Sequence, residues 1–200
     1  MDQLQVNRPR VLVFAASTRG DSLHRKLARE AFTALETTGI DATLADLRAF
    51  PMPLYEGDVE AAQGLPAHAK AFKDLLRRHD VFVIASPEYN GSFSALVKNV
   101  IDWSSRPEPG EKSLAVFRGK TAALLSASPG PGGGRRGLKH LGELLEMIGV
   151  NVLPERLSIA RAFEAFDSEG KLTRSEDRSG LEKLIAEVAS ALAAKSEAAA

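Results

Sequence analysis

Five short apolar runs alternate along the chain with segments whose apolar residues recur at helical spacing. Uninterrupted apolar runs are typical of strands covered on both faces, and their alternation with helices predicts a parallel sheet. Because crossover connections are right-handed, the sequence predicts an α/β fold, a doubly wound five-stranded parallel sheet with helices on both faces. The predicted strands are residues 11–16, 40–47, 81–85, 121–126 and a run that begins at 150, and the predicted helical stripes cover residues 23–35, 69–76, 93–101, 138–148 and 181–192.

No internal repeat or linker divides the 200 residues, so we expect a single domain over residues 1–200. Residues 1–8 and 196–200 are expected to fray. Residues 49–66 contain three prolines and few apolar repeats, which predicts a loop.

Charge and cysteine content exclude several classes of function. Lys and Arg number 26, as do Asp and Glu, so a net charge of zero gives no global attraction to nucleic acid or to a membrane surface. No cysteine is present, which excludes disulfides, thiol catalysis and thiolate-held clusters. An electron-transfer function would therefore need an organic cofactor. The polar first residues lack an apolar signal core, so we expect a cytoplasmic protein.

Ligands of doubly wound sheets bind beyond the carboxyl ends of the strands. This rule selects three loops, residues 16–22, 86–92 and 127–134. The first carries Ser17, Arg19 and Ser22 before a helix, and hydroxyls, a guanidinium and a helix N-terminus suit a phosphate. Equally, Ser22 would cap the helix and Arg19 would be a solvated turn residue. Gly20 is the only glycine there, so the loop lacks the dinucleotide-binding fingerprint.

The second loop offers groups for a flat, hydrogen-bonding ring. Pro87 stiffens the exit from the strand, Tyr89 offers an aromatic face and Gly91 permits close backbone approach. The alternative is a simple turn with Ser92 or Ser94 as the next N-cap. The third loop is rich in glycine, which suits either a ligand contact or a long turn.

Four motifs together resemble the NADPH-dependent FMN reductase family of flavodoxin-like proteins, which includes quinone, azo-dye and chromate reductases. The resemblance covers residues 10 to about 155, and its most specific part is the segment PEYNGS followed by LVKNVIDWSSR. The motifs are Ser17-x-Arg19-x-x-Ser22, Pro87-Glu88-Tyr89-Asn90-Gly91-Ser92, Leu96-Val97-Lys98-Asn99-x-Ile101-Asp102-Trp103-x-Ser105-Arg106, and Ser126-x-Ser128-x-Gly130 with Gly133.

The resemblance implies a flavodoxin-like fold, a bound FMN and NADPH or NADH as co-substrate. It implies that the FMN phosphate is held by Ser17, Arg19 and Ser22. The isoalloxazine would be framed, largely by backbone groups, by Pro87, Glu88, Tyr89, Asn90 and Gly91, and its other side or the ribityl chain by Ser126, Ser128 and Gly130. A homodimer or homotetramer is implied, with the segment around Asp102, Trp103 and Arg106 near the subunit boundary.

The chain departs from the family pattern where Ala16 replaces a frequent glycine and where Ser94 and Ala95 replace a frequent proline and glycine. Ser94 is a good N-cap, so the following helix should form. The side chain of Ala95 is expected to narrow the space above the ring. Both changes bear on substrate range.

The resulting hypothesis is a ping-pong oxidoreductase that passes hydride from NAD(P)H through flavin N5 to quinones or other small acceptors. It needs no catalytic acid or nucleophile from the protein and no metal ion. One alternative is a flavodoxin-like electron carrier, or an FMN-binding module without nicotinamide activity. Another is a regulatory protein that has kept the fold and lost the flavin.

Other conspicuous residues have structural interpretations. The four histidines show no metal-ligand spacing and are expected at the surface or at helix ends. Asp102 is expected in an ion pair or cap, and Trp103 in a core or interface. Arg135 and Arg136 suit either a solvated helix start or a nicotinamide 2′-phosphate. The apolar segment near Met52 and Leu54 suits an interface or a substrate wall.

Overall fold

A computed structural model of the protein describes residues 10–199. The predicted frayed residues 1–8 lie outside that range. The strands are β1 (Val11–Ala15), β2 (Ala42–Ala45), β3 (Val81–Ala85), β4 (Glu88–Tyr89), β5 (Ser92–Phe93), β6 (Thr121–Ala127) and β7 (Asn151–Ile159). The helices are α1 (Leu23–Thr37), α2 (Gly57–Gln63), α3 (Ala67–Arg78), α4 (Ala95–Ser104), α5 (Arg135–Met147) and α6 (Ser175–Ala199), with a 3₁₀ turn at Leu47–Ala49.

Five parallel strands form the main sheet in the order β2-β1-β3-β6-β7. Alternate residues of each strand enter two separate cores. Val13 and Val83 point toward α1 and α6, whereas Phe14 and Ile84 point toward α3, α4 and α5. The predicted doubly wound, flavodoxin-like sheet with helices on both faces is therefore confirmed.

The order of the strands brings β1, β3 and β6 side by side at the centre of the sheet. All three run in the same direction, so the loops after Ala15, Ala85 and Ala127 emerge at one edge. The carboxyl edge of the sheet thus collects the three predicted ligand-binding loops.

Several predicted boundaries were wrong. Residues 57–63 form α2 inside the predicted loop, because the Glu56 carboxylate accepts hydrogen bonds from the N–H groups of Asp58 and Val59 and caps the helix. Strand β7 begins near the predicted residue and continues to Ile159. Its pairing with β6 shifts register opposite Ala122–Leu124, and Pro154 lies in this irregular part, as an edge strand allows. Helix α6 extends to Ala199, and the expected fraying from residue 196 stays a prediction.

No helix within residues 10–199 combines the length and the apolar character that a membrane span requires.

Candidate functional site

A cavity of about 330 Å³ opens at the carboxyl edge of the sheet. Pockets for small ligands and cofactors have volumes of about 300–1,000 Å³. Residues from all three predicted loops line it, and they include seven of the eleven predicted site residues: Ser17, Arg19, Ser22, Pro87, Glu88, Tyr89 and Ser128.

The other four predicted residues lie around this cavity in different ways. Gly130 lines an adjoining open cavity of about 630 Å³, which shares Glu88 and Ser128 with the first. Asn90 and Gly91 form the turn immediately after Tyr89. Ser126 lines neither cavity, because it is fully buried at the end of β6.

The first loop presents hydrogen-bonding groups that the protein itself does not use. Ser17 is 6% exposed, and its hydroxyl has no hydrogen-bond partner within residues 10–199, yet it is not sealed from solvent. The exposed guanidinium of Arg19 forms no ion pair within the same range. Ser22 is the N-cap of α1, and its hydroxyl accepts a hydrogen bond from the Arg25 N–H at 3.4 Å.

Arg25 braces this loop from behind. Its Nη1 donates to the carbonyl oxygens of Arg19 at 3.4 Å and Gly20 at 3.0 Å. Its Nη2 pairs with Asp46 at 3.1 Å, and Asp46 also pairs with Arg48. Hydrogen bonds from the Arg48 side chain outweigh burial and lower the pKa of Asp46 to about 2, so the anchor stays ionised at neutral pH. The brace leaves Arg19 free to face a ligand.

The second loop is a β-hairpin, which the sequence analysis had described only as a turn. Strands β4 and β5 pair through Tyr89 and Ser92, with Asn90 and Gly91 as the two connecting residues. Both have positive φ, 52° and 80°, as a type I′ turn requires, and Asn-Gly is a preferred sequence for that turn. In the hairpin, Tyr89 is 52% exposed and lines the cavity.

Two hydrogen bonds fix the hairpin to the rest of the site. Glu88 Oε2 accepts a hydrogen bond from the Gly137 N–H at 3.0 Å. This bond caps α5, because the N-cap residue Gly134 has no side chain to do so. Ser94 caps α4 as expected, and its hydroxyl also donates to the Ala16 carbonyl at 3.1 Å. The second loop is thereby tied to both the first and the third.

The third loop turns sharply where β6 meets α5. Gly134 has φ +87°, and a Cβ atom there would lie 1.9 Å from Ser126 Oγ, so no side chain fits. Ser128 is half-buried at the cavity, and its hydroxyl accepts from the Gly130 N–H at 3.3 Å. Arg135 and Arg136 are exposed in the first turn of α5.

His24 is a site residue that the sequence analysis missed. It lies at a helix end, which was one of the two expected positions, but it is only 7% exposed and lines the cavity. Its Nε2 lies 3.3 Å from Ser126 Oγ and accepts from the Ala127 N–H at 3.2 Å. The spacing of His24 with Leu27, Ala28 and Ala31 places it on the buried face of α1, and this signal was available in the sequence.

Other expectations are resolved outside the cavity. His79 is the C-cap of α3, a helix end as expected, and it is buried with hydrogen bonds to Leu75 and Thr43. Asp102 pairs with Lys98 at 2.6 Å, as expected. Trp103 is fully buried, and its Nε1 donates to the Pro53 carbonyl at 2.8 Å, so it belongs to the core.

The sequence profile of the NADPH-dependent FMN reductase family matches residues 9–164. The chain belongs to this family. It is 37% identical over 171 residues to an NAD(P)H-dependent FMN reductase of Pseudomonas aeruginosa, covering 84% of this chain and 87% of that protein. It is 32% identical over 180 residues to an NADPH:quinone oxidoreductase of Arabidopsis thaliana, covering 88% of each.

The fold of this protein is similar over most of its length to that of a solved structure. That structure is the flavoenzyme NAD(P)H:(acceptor) oxidoreductase FerB of Paracoccus denitrificans, with a TM-score of 0.76 and 27% identity. The match covers 90% of this chain and 94% of that one. The predicted family is thus confirmed by both sequence and fold.

Proposed function

We propose that the protein is an FMN-dependent NAD(P)H oxidoreductase that reduces quinones and other small acceptors. Relatives named as FMN and quinone reductases support the activity. The observation that carries the proposal is the convergence of three loops on one cavity that holds unpaired groups suited to a phosphate. The free Ser17 hydroxyl, the unpaired Arg19 and the start of α1 are the donors that an FMN phosphate needs.

The residues divide between the two ends of the cofactor. Ser17, Arg19 and Ser22 hold the phosphate. The hairpin residues Pro87, Glu88, Tyr89, Asn90 and Gly91 frame one side of the ring, and Ser128 and Gly130 border the other. Ser126 is buried behind the cavity wall and supports the site through its contact with His24.

FMN held there would supply the redox chemistry, namely hydride acceptance from NADPH or NADH and two-electron reduction of the acceptor. The chain contributes binding and orientation. The Glu88 carboxylate already accepts the Gly137 N–H, so its role is to anchor the hairpin against α5. The cycle requires no side chain as acid or nucleophile, and the half-exposed Tyr89 leaves the cavity mouth open to both substrates in turn.

Colour provides the first experiment. The purified protein is mixed with FMN, freed of excess flavin, and titrated anaerobically with NADPH or NADH, followed by a quinone. A yellow protein that is bleached by nicotinamide and recoloured by the quinone supports the proposal. A yellow protein that neither nucleotide bleaches indicates the electron carrier, and a protein that does not retain FMN has lost the flavin.

A pair of arginine variants tests the phosphate end. Arg19→Gln should weaken FMN binding about tenfold to a hundredfold, because hydrogen bonds between charged groups are the strong ones. Arg78→Gln is the matched control, since Arg78 is exposed at the end of α3, where the chain enters the opposite edge of the sheet. Equal FMN dissociation constants for the two variants would contradict the assignment.

We further propose a cytoplasmic homodimer or homotetramer. Leu54 is 80% exposed, and its loop is held rigid because Asn99 and Trp103 both donate to the Pro53 carbonyl. A rigid exposed apolar loop supports an interface there. Sedimentation of the holoprotein should give at least a dimer, and Leu54→Glu should shift it toward the monomer. The cytoplasm contains NADPH and NADH, the proposed co-substrates, which supports that location.

A further inference from the structure

His24 differs from an ordinary buried histidine in how its ring nitrogens are used. His79, which is 2% exposed, has a protein partner for each nitrogen: the Leu75 carbonyl at 2.6 Å and Thr43 Oγ1 at 2.9 Å. His24 is almost as buried, but only its Nε2 is engaged. Its Nδ1 has no partner within residues 10–199, and it is not among the sealed, unpaired polar atoms of that range.

The backbone fixes the tautomer of His24. The Ala127 N–H can only donate, so Nε2 must accept and carries no proton. Burial, together with the charge of Arg19, lowers the pKa of His24 to about 4, so the ring is neutral at pH 7. A neutral imidazole with an unprotonated Nε2 carries its proton on Nδ1. The one unused nitrogen of the ring is therefore a hydrogen-bond donor.

His24 lies at the end of the cavity that the proposed function assigns to the phosphate. His24 is the second residue of α1, two positions after the N-cap Ser22, in the turn whose free N–H groups favour an anion. The positive charge of Arg19 contributes to the lowered pKa of His24. Ser17, His24 and Arg19 line the same cavity.

We propose that His24 is an additional cofactor-binding residue, whose Nδ1–H donates a hydrogen bond to the phosphate monoester of the bound flavin. The inference rests on the proposed function, since it assumes FMN as the ligand. The hydrogen bond from the Ala127 N–H to His24 also links the start of α1 to the end of β6, so the orientation of the imidazole ring is fixed before the ligand binds.

The test compares FMN with riboflavin, which shares the ring and ribityl chain and lacks the phosphate. Dissociation constants are measured by quenching of flavin fluorescence for the wild-type protein, His24→Ala, His24→Asn and the control His79→Ala. We expect His24→Ala to weaken FMN binding about tenfold to a hundredfold more than it weakens riboflavin binding. The Asn amide should restore part of the FMN affinity, and His79→Ala should lower the melting temperature without changing the preference for FMN.

A merely structural role predicts a different pattern. If His24 only supports Ala127 and Ser126, its replacement will weaken both flavins equally or neither, and the proposal is overturned. A wild-type protein that binds no FMN refutes the proposed function itself, whereas wild-type binding with an unchanged preference in His24→Ala refutes only the role of His24.

A second measurement uses the wild-type protein, in case the variants do not fold. Imidazole ¹⁵N NMR should find His24 as the Nδ1–H tautomer, and FMN, unlike riboflavin, should shift its Nδ1 resonance. An Nε2–H tautomer, or identical spectra with the two flavins, contradicts the proposal.

Discussion

Gly134 occupies a position where the structure allows almost no other residue. Its φ of +87° lies in the left-handed region, and a Cβ atom would lie 1.9 Å from Ser126 Oγ and 2.7 Å from Ser126 Cβ. Gly134→Ala therefore combines two penalties. A left-handed conformation costs a residue with a side chain about 1–2 kcal/mol, and overpacking a full site costs about 1–3 kcal/mol more.

Gly110→Ala separates these two terms. Gly110 has φ +83° and is exposed, and a Cβ atom there meets nothing within 4 Å, so it carries the backbone penalty alone. In a chain of this size, each kcal/mol shifts the melting temperature by about 2–4 °C. We expect Gly134→Ala to melt about 2–12 °C below Gly110→Ala, from the steric term alone.

Thermal unfolding of the apoprotein, followed by circular dichroism, is the assay. Adding Ser126→Gly removes the two atoms that clash with the new Cβ and leaves only Glu88 Cβ, at an ordinary contact distance of 3.8 Å, so the double variant should recover the steric term and keep the backbone term. Equal melting temperatures for the two alanine variants, or strictly additive effects in the double variant, would refute the reasoning.

Three other contacts give predictions. Arg25→Met removes the brace of the first loop, so FMN affinity by fluorescence quenching should fall about tenfold while Arg25→Lys restores part of it. Glu111→Gln leaves the buried Lys73 with Glu108 at 3.9 Å as its nearest remaining counter-charge, and urea unfolding at pH 7 should show a loss of about 3 kcal/mol. Burial alone would raise the pKa of Glu111, but hydrogen bonds from Lys73, Arg77 and the Glu108 backbone lower it from 4.5 to about 2. The stability difference between the wild type and Glu111→Gln should therefore shrink as pH falls from 4.5 toward 2. A stability difference that stays constant over this range would contradict the prediction. The pKa of His24 is lowered from 6.5 to about 4, so the unfolded chain binds a proton at this histidine at a higher pH than the folded chain does. The apoprotein should therefore lose stability as pH falls from 6.5 to 4, and His24→Asn should lose less. Stability profiles of the two proteins that run parallel over this pH range would count against the assignment.

The sheet was predictable because burial on both faces leaves a simple signature. The run VFVIA gave β3 with both boundaries correct, since every residue in it enters one core or the other. Strand β7 was predicted only at its start, because Pro154, Glu155 and Arg156 interrupt the apolar pattern on an edge strand that is partly solvated. The quality of the prediction thus followed the degree of burial.

The small hairpin and α2 were missed for a different reason. Their strands and turns are too short for periodicity, and capping or turn chemistry decides them instead. Asn90-Gly91 carried the signal of a type I′ turn, and Glu56 carried that of an N-cap, but both were treated as features of irregular loops. Local chemistry of this kind is readable from sequence once the search is made for individual residues.

The sequence named Ser17 and Arg19 as donors, but it could not show which buried polar groups lack a partner in the fold. Ser126 and Ser128 stand two residues apart in one motif, yet Ser126 is sealed below Gly134 and Ser128 faces both cavities. His24 and His79 are both buried, yet only one has an unused nitrogen. Whether a polar group is satisfied depends on partners from distant segments, such as Ala127 for His24. The sequence therefore located the edge of the sheet where a ligand is proposed to bind, whereas the free nitrogen of His24 depends on contacts between distant segments that only the fold shows.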